Sequence, residues 1–425
     1  VPALAERPES FAALSAAFDA FRQEPAFLGN PQSREWAFKR FQDEGLPTTR
    51  DEEWRFTNVA PIGRTRFVRA GAATVRPADL APFRFPGVPA VVLVNGRLDR
   101  TLSALAELPA GLTLTSSHDS PWSTSMGAFP DLNAAFFEQV VTLTIASGAV
   151  VSTPVQVLSV VVGSGTAALV APRLVVRAGE RAECQIIEDY VGLGDGVTLT
   201  TAVTDLLVEA GAFVRHVKIQ REAPSAFHLA TLKVHLERAS VCHSSALTFG
   251  ARISRDDITA VLQGEGAECT LHGLYVATGD RLVDTHTTID HAAPHCPSHE
   301  IYKGVLAGHA RAVFNGKILV RPLAQKTDAK QTNKALLLSD EAQVNTKPQL
   351  EIFADDVKCT HGAAIGQLDE DALFYLRARG VAESDARHML IEAFAGQILE
   401  GLGVPVVRDV CQALLEATLA EATHA

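Results

Sequence analysis

The chain changes its hydrophobic rhythm twice along its length. The first stretch, residues 1–150, mixes helical and irregular patterning. Phe11, Leu14, Phe18 and Phe21 recur at helical spacing, and Glu9 or Ser10 is positioned to cap that helix, which runs to about Glu24. Asn30-Pro31 opens a second helix carrying Trp36, Phe38 and Phe41, and Gly45-Leu46-Pro47 stops it. A short apolar run, Ala90 to Val94, leads into Asn95-Gly96, a hairpin signal, with Leu98 on the return strand.

Residues 151–365 read as nearly all β. Runs of Val, Leu, Ile and Thr alternate with Gly, Asp and Ser turns, as in Val155–Val162, Arg173–Val176, Thr198–Val203, Val214–Ile219 and Leu229–Leu236. Turn residues precede a new strand near Gly179, Gly211, Ala239, Gly266, His309 and Glu341, at gaps of 32, 28, 27, 43 and 32 residues. A period of this size suits the stacked coils of a β-solenoid. A sandwich or barrel of hairpins gives a similar pattern.

Residues 366–425 are helical. Asp369 caps a helix through Leu373, Phe374 and Leu376 that Gly380 ends, and Ser384 caps the next. The apolar face of that second helix is Ala386, Met389, Leu390, Ala393, Phe394 and Ile398. Pro405 opens a last helix through Val410, Leu414 and Leu415.

Composition narrows the function. Of 425 residues, 47% are hydrophobic and 20% charged, the balance of a folded globular chain. A net charge of −11 disfavours a general nucleic-acid binder. No apolar run approaches the length of a membrane span, and no basic segment followed by an apolar one opens the chain, so a cytoplasmic location is expected. The six cysteines are too dispersed for a disulfide framework. No phosphate-binding Gly-x-x-x-x-Gly-Lys loop, Gly-x-Ser-x-Gly elbow or Cys-x-x-Cys pair is present.

Two stretches carry ligand chemistry. Asp284, His286, Asp290, His291, His295, Cys296 and His299 form the densest one; it reads either as a transition-metal site or as a polar turn. In Lys358-Cys359-Thr360-His361-Gly362, strand alternation puts Cys359 and His361 on one face about 7 Å apart. Thiolate and imidazole both ligate iron, and an imidazolium there would depress the thiol pKa; the plainer reading is packing. Cys242 and Cys269 follow repeat markers and read as stacked core thiols, while Gln325, Gln331 and Asn333 are candidates for amide ladders between coils. Lys303, Arg311, Lys317, Arg321, Lys326, Lys330 and Lys334 read as a solvated strand face.

Longer motifs bear a resemblance. FNGKILV (Phe314–Val320), AQKTDAKQTNKALLLS (Ala324–Ser339), TKPQLEIFADDVKCTHGAAIGQLDEDALFYLRARG (Thr346–Gly380) and ESDARHMLIEAFAGQIL (Glu383–Leu399) resemble the SufB/SufD family of iron–sulfur cluster assembly, nearer its SufD branch. GLPTTRDEEWRFT (Gly45–Thr57) and DTHTTIDHAAPHCPSHEIYKGVL (Asp284–Leu306) are similar to the family too. The resemblance implies a right-handed parallel β-helix between N- and C-terminal helical regions. It implies a non-catalytic scaffold in a complex with a SufB paralogue and the SufC ATPase, the latter contacting the C-terminal helices. Self-pairing into a homodimer through the β-helix is open to the isolated chain. The resemblance implies no tightly bound cofactor in isolation, leaves flavin unassigned, and puts Cys359 and His361 near the SufB junction, where a transient cluster forms. Two other functions compete: a metalloprotein built on His286–His299, and a β-helix enzyme acting on polysaccharide.

Overall fold

The computed structural model describes residues 9–119 and 127–424. Two facing sheets, of eleven and ten strands, wind from one chain into a β-solenoid of about eight turns. From Arg173 onward strands alternate between the sheets, and each pairs in parallel with the strand one coil away: Phe213 lies beside Val241, Val241 beside Glu268. Ala90–Val94 and Val140–Ile145 already belong to this body, pairing in parallel with Val155–Val162 and Arg173–Ala178. The predicted hairpin forms, with Leu93 opposite Leu98.

One corner explains the irregular repeat. Arg181, Gly211, Ala239, Gly266, His295 and Lys326 occupy the same corner of six successive coils, all at φ between 54° and 71°. Each donates its backbone N–H to the next coil, from Arg181 to the Ala210 carbonyl through to Lys326 and the Asp356 carbonyl. Only two of the six are glycine, so the repeat is disguised. The 43-residue gap arises because Gly179 to Gly266 mark this edge, whereas His309 and Glu341 mark the opposite one.

The interior packs stacked apolar side chains, among them Val214, Cys242, Cys269, Ala312 and Phe314. Two adjacent strands interlock large on small: Gly273 lies beside Tyr302 and Tyr275 beside Gly304. A Cβ on Gly304 would stand 1.9 Å from the Tyr275 ring, so glycine is required for ring clearance.

Helices cover both outer faces. The N-terminal pair, Glu9–Phe21 and Pro31–Glu44, stacks its phenylalanines against Phe227, Leu229 and Ile253 of one sheet. Asn30 caps the second by accepting from the Ser33 N–H, and Gly45 at φ 76° ends it; the cap of the first lies outside the described residues. The C-terminal helices Glu370–Arg377, Glu383–Gly401 and Pro405–His424 follow the last strand, and the latter two cover Val217, Ile219, Leu274 and Val276 of the other sheet. Strands covered on both faces are buried on both, as in Thr198–Val208, where every residue but Leu207 is buried although four are threonine and one is aspartate.

Two helix details differ from the sequence reading. Asp369 caps its helix, but Ala382, not Ser384, is the N-cap of the next. The buried face of that next helix is Ala386, Ile391, Ala395, Ile398 and Leu399, while Met389 is exposed. Among the described residues no helix is long and apolar enough to cross a membrane.

Candidate functional site at the open end of the solenoid

The last coil has no successor. Gln343–Ile352 and Lys358–Gly366 are the terminal strands of the two sheets, each paired on one side only. Their unpaired edges carry free N–H and C=O groups, a template for another chain. Ile352, Phe353 and Ile365 add exposed apolar surface there.

Register fixes what this end presents. Cys359 lies beside Ala329, which lies beside Ser298, then Cys269 and Cys242. His361 lies beside Gln331, which lies beside Glu300. These neighbours are all buried in the interior, so Cys359 and His361 are interior positions left uncovered at the mouth of the coil. The two share a face, as the strand spacing predicts. Cys359 packs against Ile318, Val320 and Ala329 and is half-buried, while His361 is exposed. The expected imidazolium effect on the thiol is absent. Burial pushes the Cys359 thiol above its ordinary range, Asp328 adds to this, and the Ala329 backbone only partly opposes it.

Beneath the mouth runs a polar column. Gln331 donates its amide to Glu300 at 2.6 Å rather than forming a ladder of amides. Asn333 instead accepts from Tyr275 Oη, and Gln325 accepts from the Asp356 N–H. Burial pushes the Glu300 carboxyl up to about 7, against the pull of Thr287 and Gln331.

Deeper inside lies a network that the strand pattern hides. His216 bridges the Glu188 carboxylate and the Ser244 hydroxyl, both at 2.9 Å. Thr204 and Tyr190 also donate to Glu188, and Lys218 pairs with Asp256. Burial opposes ionisation of Glu188, yet His216, Thr204 and Tyr190 together hold it at about 2. The signal in the sequence was charge at inward-phase positions of otherwise apolar strands.

The histidine-rich stretch does not converge. His286 faces outward and contacts Asp284 at 3.0 Å and Glu53 at 3.1 Å. His291 turns inward to Ser298, His295 occupies the left-handed corner, and His299 sits on the other sheet. Asp284 accepts from Thr57 and Arg255, both at 2.6 Å, and Arg255 lies 3.8 Å from the Trp54 ring centroid. Residues 284 to 286 thereby strap segment 51–57 to the sheet. The basic residues are mostly paired, as with Lys317–Glu351, Arg321–Asp290 and Lys326–Asp356, and Lys303 donates to the Phe394 carbonyl at 2.6 Å. Cys242 and Cys269 stack in the interior, and burial pushes the Cys242 thiol up to about 12.

Comparison with known proteins gives a consistent result. Residues 161–394 match the family model for the SUF system FeS cluster assembly, SufBD core domain. The iron-sulfur cluster assembly SufBD family protein slr0076 of Synechocystis is 33% identical over 378 residues, 84% of this chain and 83% of that one. The iron-sulfur cluster assembly protein SufD of Escherichia coli is 32% identical over 364 residues, 84% of this chain and 86% of that one. The chloroplastic protein ABCI7 of Arabidopsis thaliana is 33% identical over 240 residues, 56% of this chain and half of that one.

Proposed function

Since the chain belongs to the SufBD family of iron–sulfur cluster assembly proteins, we propose that it is a non-catalytic scaffold whose open coil supports formation of a nascent cluster. The observation that carries this reading is the uncovered last coil with Cys359 and His361 at its mouth. A SufB paralogue is the partner for that end, meeting the two free edges and bringing further ligands. The ATPase of the system, SufC, engages the helices from Asp369 to Leu402. The segment from about 366 onward thus forms a docking unit, residues 151–365 most of the scaffold body, and residues 1–150 an N-terminal region that adds the first strands of that body. A cytoplasmic setting suits the reduced thiols that this chemistry needs.

Iron and sulfide are cargo here. Cys359 gives a thiolate and His361 a neutral imidazole, a mixed set suited to a cluster that must be handed on. Each ligand must be deprotonated to bind. Because burial raises the Cys359 pKa, cargo capture releases a proton from Sγ and strengthens as pH rises. The partner's arrival dries the mouth, so thiolate, imidazole and iron meet away from competing water.

The test is co-expression with SufB and SufC, comparing wild type with Cys359→Ala/His361→Ala. Size exclusion should show the complex intact, with iron and sulfide content reduced. Normal content in an intact complex would return both residues to a packing role.

A further inference from the structure

The last two helices bring together three ligand-type side chains that include neither residue 359 nor residue 361. His388 and Glu392 are one turn apart on Glu383–Gly401, so they share a face. Gln412 and Glu416 are one turn apart on the facing helix Pro405–His424. His388 Nε2 stands 3.3 Å from Glu392 Oε1. One ligand atom each from His388, Glu392 and Glu416 lies within 4.8 Å of the others. This is the sole such group among the described residues.

We propose that His388, Glu392 and Glu416 hold a divalent first-row transition cation of the Zn²⁺, Co²⁺ or Fe²⁺ class, clamping the two helices together. Three observations carry it. One imidazole and two carboxylates form an N/O set that suits zinc-like cations and, with its imidazole, disfavours magnesium and calcium. Two carboxylates face each other across the seam, and no Lys or Arg pairs with either among the described residues; nearby Arg408 is engaged by Asp409.

The third observation is Gln412. Its Nε2 donates to both Glu392 and Glu416, so the positive end of an amide dipole stands where the two carboxylates converge. Rotation of that amide would offer its oxygen as a further ligand. Tetrahedral zinc spaces its N and O ligands about 3.3 Å apart, given bonds of about 2.0–2.1 Å. The three atoms need only close by rotamer adjustment of half-exposed side chains. The side chains of His388 and Glu392 are 42% and 34% exposed, which leaves an entry path and room for water in the open position.

The clamp rests neither on the thiol at 359 nor on a role in cluster assembly. Co²⁺ titrated into the full-length chain is the probe. One equivalent should bind with visible d–d absorption and without the charge-transfer band of a thiolate ligand. His388→Ala and the exposed, isosteric Glu416→Gln should each weaken binding at least tenfold, about the lower bound for disturbing even an outer-shell partner. Glu400→Gln on the same helix, and Cys359→Ala/His361→Ala, should bind as wild type does. Co²⁺ should also slow amide exchange in residues 386–416 of wild type and not of Glu416→Gln. Absence of stoichiometric binding overturns the proposal. So does wild-type affinity in both cluster variants, or loss of binding in the Cys359/His361 variant.

Discussion

Glu300→Gln should make the protein more stable at alkaline pH and flatten its stability profile around neutrality. Glu300 is 1% exposed and meets Gln331 in the column below the mouth. Its carboxyl is carried from 4.5 to about 7, chiefly by burial. A raised carboxyl pKa means that the folded state holds the proton more tightly than the unfolded one. Its contribution is therefore full below pH 4.5 and lost as pH rises through about 7. With each tenfold change in proton affinity equal to about 1.36 kcal/mol, the span corresponds to roughly 3 kcal/mol. Residual solvation of the interior makes that an upper value. The amide of Gln is nearly isosteric and never ionises, so it removes this component without opening a cavity. Urea unfolding of the isolated chain at pH 5.5 and 8.5 reads the difference. Wild type should lose stability between those values by more than the variant does, and the curves should separate on the alkaline side. Parallel profiles for the two proteins would show that Glu300 is ionised in the fold and refute the reasoning.

Other substitutions test other layers. Gly304→Ala drives a methyl into the Tyr275 ring and should destabilise by about 1–3 kcal/mol; pairing it with Tyr275→Leu should recover part of the loss in a double-mutant cycle. His216→Ala strands Glu188 in the interior and should lower stability at pH 7 by about 3–5 kcal/mol, read by urea titration. The Glu188 carboxyl, held at about 2, supports wild type above pH 4.5, and that support fades as pH falls toward 2; the variant should lack this acid-side transition. Arg255→Ala removes the cation between Asp257, Asp284 and Trp54, so limited proteolysis should cut near residues 45–57 sooner while the sheets stay protected.

Much of this was readable in the chain. Val155–Val162 and the Asn95-Gly96 hairpin fall where their residues predict, because each is decided by neighbours in sequence. The coil corner was only half legible, since Arg181, Ala239, His295 and Lys326 adopt a left-handed conformation that glycine would have advertised. Coil-to-coil hydrogen bonds impose it there. The shared face of Cys359 and His361 follows from alternation, but their uncovered state depends on the chain ending its coils at Gly366. The outward turn of His286 and inward turn of His291 could be assigned only once the register placed one beside Asn315 and the other beside Val320. The network of Glu188, His216 and Lys218 joins residues 28 to 38 apart, beyond any local pattern.

The open coil also bears on how solenoids can meet end to end. At the far end of the stack, the sheets finish on antiparallel strands, one only three residues long and bearing Arg97 and Asp99. The two ends of the stack are therefore unlike. A like edge meeting this one across a two-fold axis uses up both templates at once. An edge paired in that way would leave no open template at this end, so the stack could not grow further from it.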